Sequence, residues 1–486
     1  MATKKKVSAS PAATLASSVN ATSNLQKIDH IVILMMENRS FDQMLGYLSL
    51  VGGRTDVDGL KGGERNTYRR SASSTPIAVP VHHLSSTSMP PGQDPCHTGT
   101  CVDQQLLHDN GGFVQNYYDR HPDDPDPGIV MGYYQASDLP TFDFLAREFS
   151  ISDRWFASVR GSTWPNRLYL TSGKAAGSRD NKTFGFLYRN KSWVRHLDAN
   201  GVTWKGYGDA AYGHCSIRFT DENYRSQQYY EPFGGSLTGF GFLRDAETGQ
   251  LPAVSIIDPT FFKDDDHPPA DIALGQTFVA RANNALAKSP AWNRTLLIVL
   301  YDEHGGFFDH VPPGPADDDD PAFRGYGVRV PAFFIGPYVP KGGCFHTGCD
   351  HASVVKTILT RFCATNNGAI PDMGARVANA AHLGEVLSEP APRPAPPMPA
   401  VTVKKLTTQV ARLAFNEFVS PSPSRETGKD EADLIATIKQ LHGGDVRGQK
   451  VRRPVARKRT RAVPATTITK KAPSKGRKTE RARVPR

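Results

Sequence analysis

No stretch of this chain approaches the roughly 18 to 20 consecutive apolar residues that a membrane-crossing helix needs, which excludes a protein built from transmembrane helices. Cysteine is scarce, with six in 486 residues, and that excludes a disulfide-framed scaffold. Cys96 and Cys101 lie close together, as do Cys344 and Cys349, and their pairing stays open; short-loop disulfides would imply export. The spacing Cys344-x-His346-x-x-Cys349 has the look of a zinc motif, but two thiols and one imidazole so close together read more simply as loop residues. The first 26 residues start basic yet lack the apolar core of a secretory signal, so cytoplasmic residence is the default expectation. No internal repeat is visible.

Acidic residues are almost missing from the end of the chain. Between Val446 and Arg486 there are 16 Lys and Arg against the single acid Glu480. Of the formal net charge of +10 the tail therefore supplies +15, leaving about −5 on residues 1–445. The basic balance belongs to a tail that cannot build a core and is expected to be disordered, with anionic surfaces or nucleic acid as its candidate partners. Residues 1–25, rich in Ala, Ser and Thr, carry the same expectation. Between them lie a body at 26–385, a proline-rich linker at 386–402 and a helical extension at 403–445, with helical segments near 403–418 and 429–442.

Within the body, four segments read as strands: Ile31–Met36, Leu251–Asp258, Arg294–Tyr301 and Val328–Gly336. The first is apolar throughout and the third is an apolar, β-branched run after Arg294, the pattern of buried strands in a parallel sheet, where ligands sit beyond the carboxyl ends. Those ends carry Glu37-Asn38 and Asp302-Glu303-His304-Gly305-Gly306, the glycines allowing a sharp turn. Order is expected to begin at Ile28. Residues 51–130, rich in Gly, Ser, Pro and Asp, read as a long loop over the carboxyl edge, with Asp94-Pro95-Cys96-His97 inside it. Helical patterns follow at Leu139–Phe149, at about 275–286, and after Asp350, which caps a helix bearing Val354, Val355, Ile358, Leu359 and Phe362 on one face. In Gly161-Ser162-Thr163-Trp164-Pro165-Asn166-Arg167 a hydroxyl precedes a proline and an apolar run. This is a helix start, at which Ser162 or Thr163 reads locally as a cap.

Hard oxygen donors at strand ends suit a divalent cation, and a hydroxyl beside such an ion loses its proton more readily. At a helix start, phosphoryl oxygens would also meet backbone N–H groups and the positive dipole end. The combination serves phosphoryl transfer through a covalent intermediate. His97, His267, His304, His310 and His351 are at hand to stabilise charge or protonate a leaving oxygen, while His304 and His310 read equally well as loop or core residues. Trp155, Phe156, Trp164, Tyr133 and Tyr134 offer rings for a cationic head group, and packing in the core is the simpler reading of them.

Three motifs, in order, carry a resemblance. They are Asp29 to Asp42, Gly161 to Arg167, and Asp302 to Pro313. Together they resemble the phosphoesterase family of non-haemolytic phospholipases C and AcpA-type acid phosphatases, across roughly residues 26 to 365. The resemblance implies an α/β, alkaline-phosphatase-like three-layer sandwich with a mostly parallel central sheet, and a catalytic domain at 26–385. It implies one divalent metal ion held by Glu37, Asn38, Thr163, Asp302 and Glu303, with Thr163 also the nucleophile. His97, His267, His304 and His351 would contact phosphate or the leaving group. Position 162 holds Ser where that family commonly has proline. The implied activity is a phospholipase C acting through a phosphorylated threonine on phosphodiester lipids such as phosphatidylcholine, or an acid phosphatase on phosphomonoesters. A binding protein working through the basic tail is the reading from another class. Sulfate-ester hydrolysis is disfavoured, because the Cys/Ser-x-Pro-x-Arg nucleophile context is absent.

Overall fold

His30–Met36 and Thr295–Tyr301 are apolar or β-branched nearly throughout, and in the computed structural model they lie side by side at the middle of one sheet. The structure describes residues 21–181, 190–208, 216–234 and 240–419. Its main sheet has eight strands among the described residues: β1 His30–Met36, β2 Ser150–Ser152, β3 Trp204–Gly208, β4 Tyr230–Pro232, β5 Val254–Ile257, β6 Thr295–Tyr301, β7 Ala332–Ile335 and β8 Cys344–Phe345. Their spatial order is β8-β2-β7-β6-β1-β5-β3-β4. Seven strands run the same way, and β7 runs antiparallel to both its neighbours. The sheet is thus mostly parallel, with one exception beside the strand expected to be flanked by parallel partners. Its cause is the connection. A parallel partner requires a crossover back along the sheet, whereas residues 302–331 hold only the short turn Pro321–Phe323 and re-enter from the carboxyl edge.

Helices cover both faces. The longer ones are α1 Pro140–Glu148, α2 Thr163–Ser172, α3 Ile272–Ala287, α4 His351–Phe362 and α5 Ala400–Val419. Phe333 and Phe334 are consecutive in β7, so they point to opposite faces. Phe142 of α1 stacks on Phe333, while Trp155, which donates to His351 of α4, packs against Phe334. These contacts put α1 on one side and α4 on the other, giving the expected three-layer α/β sandwich. Trp155, Trp164 and Tyr134 are fully buried and Phe156 and Tyr133 nearly so, which makes all five rings core residues.

Several boundaries differ from expectation. Ordered chain reaches back before Ile28: Ala21 and Leu25 are buried, and Asn24 donates to the Gly384 carbonyl. The stretch 51–130 builds its own elements, a hairpin of Arg65–Tyr68 with Ile77–Pro80 and helices at Gly99–Gln105 and Phe113–Arg120. The proline-rich segment lies along the body, because Arg393 gives its guanidinium to the Val339 and Glu148 carbonyls and accepts from the Trp292 indole. Beyond it α5 follows, with Leu406 buried. The helix expected near 429–442 and the basic tail lie outside the described residues, as do residues 1–20.

Candidate active site

The register of β1 on β6 decides what meets at the carboxyl edge. Met36 pairs with Tyr301, so Glu37-Asn38 and Asp302-Glu303 leave the sheet together. Asp302 N–H donates to the Met36 carbonyl and Arg39 N–H to that of Glu303. Asn38 turns between them in the left-handed region, φ 59°, a conformation asparagine tolerates better than most residues, and its N–H donates to Asp302 Oδ1 at 3.0 Å. Gly305 and Gly306 also have positive φ. A Cβ on Gly305 would stand 2.2 Å from the Asn38 carbonyl, and one on Gly306 would stand 2.6 Å from Pro95. The glycine turn thereby lets the loop carrying His97 lie against the strand ends. Next to His97, Cys96 and Cys101 form a disulfide. Such a bond belongs with an oxidising compartment and weighs against the cytoplasmic default.

The helix α2 brings in the hydroxyl. Ser162 is its N-cap residue by backbone, yet no side chain caps it. The Ser162 hydroxyl instead donates to the His97 carbonyl at 3.4 Å, and Thr163, first in the helix, reaches Asn38 Oδ1 at 3.5 Å. Capping does not account for either residue. The helix start offers less to a phosphoryl group than expected, since the Trp164 N–H goes to Asn181 and Pro165 has none. Of the first three positions only Thr163 can aim an N–H outward.

Arg167, one turn further, is fully buried and bonds Glu37 Oε1 at 2.9 Å and Asp258 Oδ1 at 2.6 Å, with Asp302 Oδ2 at 3.9 Å. Burial works to lower its pKa, but the three carboxylates outweigh that and hold it charged. One cation facing three buried carboxylates leaves the cluster short of positive charge. Burial pushes Glu37 well above the carboxylate range, Asp302 above it, and Glu303 up to about 8. Glu37 Oε2, Asp302 Oδ2 and Glu303 Oε1 are buried with no hydrogen-bond partner. Orphaned carboxylate oxygens, with Asn38 Oδ1 and the Thr163 hydroxyl beside them, are the donor set a hard divalent cation takes. The residues therefore fit a metal.

The cradle is open, however. Among the described residues, the groups of His, Cys, Asp and Glu that bring ligand atoms within 4.8 Å of one another are Asp94–His97–His267, Asp153–Cys344–His346 and Asp42–Asp309–His310. Glu37, Asp302 and Glu303 are not such a group. They string out around Asn38, whose amide links Thr163 to His97, with His97 Nδ1 3.8 Å from Glu303 Oε1. Several groups here can hold a metal ion; their geometry sets neither its number nor its identity.

The histidines divide into two pairs. His97 and His267 stand edge to face, 5.8 Å between ring centres. His267 Nδ1 donates to the Pro268 carbonyl, which leaves the lone pair of a neutral ring on Nε2. The other pair is committed elsewhere. His351 accepts from the Trp155 indole and donates to the Asp302 carbonyl at 2.6 Å, and burial pushes it down to about 4. His304 bonds Gln105 at 2.8 Å, lies 3.3 Å from Glu303, and is pushed by burial down to about 3. Both rings stay neutral, and His351 has both nitrogens engaged. His304 and His351 thus stand behind Glu303 and Asp302, bonded to Gln105 and to the Asp302 carbonyl.

Arg167, Asp258 and Gln105 were not among the expected site residues. Arg167 closes the second motif and Asp258 ends a strand, so the strand-end argument that picked out Glu37 and Asp302 reaches Asp258 too. No sequence signal marks Gln105. His310 lies outside the site, paired with Asp42 and Asp58 beside the buried Arg329. Although burial opposes its charge, Asp42 and its other acidic neighbours raise it to about 9. A histidine raised from its unfolded value of about 6.5 stabilises fully below that value and loses the effect as pH rises through 9. The thermal midpoint should fall across this window, and His310→Gln should flatten the fall; a midpoint curve of the same shape in the variant would contradict the assignment.

Comparison with known proteins shows the family. Residues 28–364 match the phosphoesterase family. The chain is 33% identical to non-specific phospholipase C1 of Arabidopsis thaliana over 369 residues, 69% of this chain and 67% of that protein. It is 30% identical to non-specific phospholipase C6 of the same plant over 432 residues, 80% and 78% of the two chains. With phospholipase C B of Mycobacterium tuberculosis strain H37Rv it shares 31% over 390 residues, 70% and 74%. A solved protein of the alkaline phosphatase superfamily from Vibrio parahaemolyticus superposes with a TM-score of 0.33 at 13% identity, over 70% of this chain and 74% of that one. With the family matched over most of its length, this chain belongs to the phosphoesterase family and is a phosphoric ester hydrolase.

Proposed function

We propose that the protein is a metal-dependent hydrolase of the phospholipase C type, cleaving phosphodiester lipids such as phosphatidylcholine through a phosphorylated Thr163. The observation that carries this reading is the Thr163 hydroxyl, buried at a helix start without a capping role and aimed at Asn38 between two strand-end carboxylates. Glu37, Asn38, Asp302, Glu303 and Thr163 itself would hold the cation. A divalent ion there supplies charge to neutralise the phosphoryl oxygens in the transition state. Thr163 Oγ bonds to phosphorus as the bond to the diacylglycerol oxygen breaks. The threonine proton passes to Asp302, and the leaving oxygen takes a proton from His97. Water then attacks the phosphothreonine, releasing the head-group phosphomonoester and restoring the hydroxyl. His351 holds the Asp302 backbone in place through its carbonyl, and His304 packs beside Glu303. Phe261 and Phe262 are half-buried beside this centre, Phe261 under Arg167 and Phe262 against His267, and they give an organic ester group an apolar wall.

A panel of phosphatidylcholine, p-nitrophenylphosphorylcholine and p-nitrophenyl phosphate, assayed with and without EDTA, tests the reading. Turnover of the two diesters, lost with chelator, is the expected result. Preference for p-nitrophenyl phosphate would replace it with a phosphomonoesterase.

A further inference from the structure

The edge strand β8 carries a cluster that shares no residue with the active site. β8 pairs in parallel with β2, Cys344 opposite Ile151 and Phe345 opposite Ser152. Asp153 and His346 therefore leave the ends of neighbouring strands together. Phe345 turns inward onto Phe334, so Cys344 and His346, two residues apart, share the other side. One ligand atom from each of Asp153, Cys344 and His346 lies within 4.8 Å of the others. Asp153 is buried and already oriented, its Oδ2 accepting the Asp58 N–H at 2.9 Å and its Oδ1 taking His346 Nδ1 at 2.9 Å. Cys344 is half-buried and the His346 side chain is 57% exposed, so the cluster opens to solvent.

We propose that Asp153, Cys344 and His346 form a second metal site, selective for zinc over the hard cations suited to the oxygen cradle. Thiolate, imidazole and carboxylate together are a zinc donor set, and three protein ligands leave one position for water. Bonds of about 2.0 Å to nitrogen and oxygen set those atoms about 3.3 Å apart in a tetrahedron, so His346 and Asp153 need to part by only a few tenths of an ångström. The thiol proton leaves to solvent as sulfur binds. Cys349, the other thiol of the spacing, is buried with its sulfur turned to Ser353 and is not a member of the cluster. An ion held here would tie the edge strand β8 to the end of β2.

The test is cobalt(II) added to the metal-free full chain. A thiolate ligand gives a sulfur-to-cobalt charge-transfer band in the near ultraviolet, which an all-oxygen or oxygen–imidazole site cannot. Wild type should show the band, and Cys344→Ser should lose it together with one equivalent of bound zinc, while hydrolysis by the reloaded enzyme stays unchanged. His346→Ala should weaken cobalt binding at least about tenfold. No band in wild type, or a band that persists in Cys344→Ser, overturns the proposal.

Discussion

Thr163→Ala should turn over phosphate esters slower than wild type by on the order of 10^3-fold or more, the scale at which a nucleophile's loss registers, with the thermal midpoint nearly unchanged. The two halves of that expectation have separate grounds. In the proposed mechanism the hydroxyl is the group that bonds to phosphorus, and nothing else at the helix start replaces it: the Ser162 hydroxyl is directed at the His97 carbonyl. Structurally, the Thr163 hydroxyl lies 3.5 Å from Asn38, interacts with the Asp302 side chain, and caps nothing. Its removal costs the helix no cap. Thr163→Ser should keep most of the activity. Wild-type protein quenched during turnover should carry a phosphoryl group on the peptide containing Thr163, detectable by mass spectrometry. Full turnover by Thr163→Ala would remove Thr163 from the mechanism, whatever the status of the metal.

Metal loss should be nearly as damaging. Glu37→Gln and Asp302→Asn preserve shape while removing one negative charge each from a cluster whose buried oxygens have too few partners. Both should lower bound metal, measured by elemental analysis, and lower turnover by on the order of a hundredfold. Chelation of wild type should do the same and reduce the thermal midpoint, because a ligand bound only by the folded state stabilises it. Glu37→Gln also weakens the pair with Arg167, so its midpoint should fall further than that of Asp302→Asn, whose nearest Arg167 contact is 3.9 Å. An active wild type that holds no metal and ignores chelators would refute the cradle.

Much of this site was legible in local sequence, for reasons that lie in the strands. An apolar run of strand length followed at once by Glu37-Asn38 or Asp302-Glu303 has one economical reading, a buried strand delivering polar groups to its carboxyl end. Both strands form within a residue or two of the expected bounds. The hydroxyl at Thr163 was legible as a helix start because proline at the third position tolerates no other element as well. Where the reading fell short, the missing information was nonlocal. His304 and His351 look like any loop histidines until Gln105 and Trp155 are found to occupy them, and Gln105 is 199 residues from His304.

By itself, then, the sequence determined the family, the strand ends that carry clustered polar groups, and the confinement of positive charge to a tail. These are properties of short windows, where hydrophobic period and turn chemistry act over a few residues. Only the tertiary structure decided that β7 runs antiparallel, that Arg167 is shared among three carboxylates, and that His304 and His351 are bonded to Gln105, Trp155 and the Asp302 carbonyl. It also drew together Asp153 and His346, far apart in the chain. Register and packing between distant segments set these outcomes: burial strips water from each polar atom, and whichever partner the fold then supplies fixes that atom's charge and role.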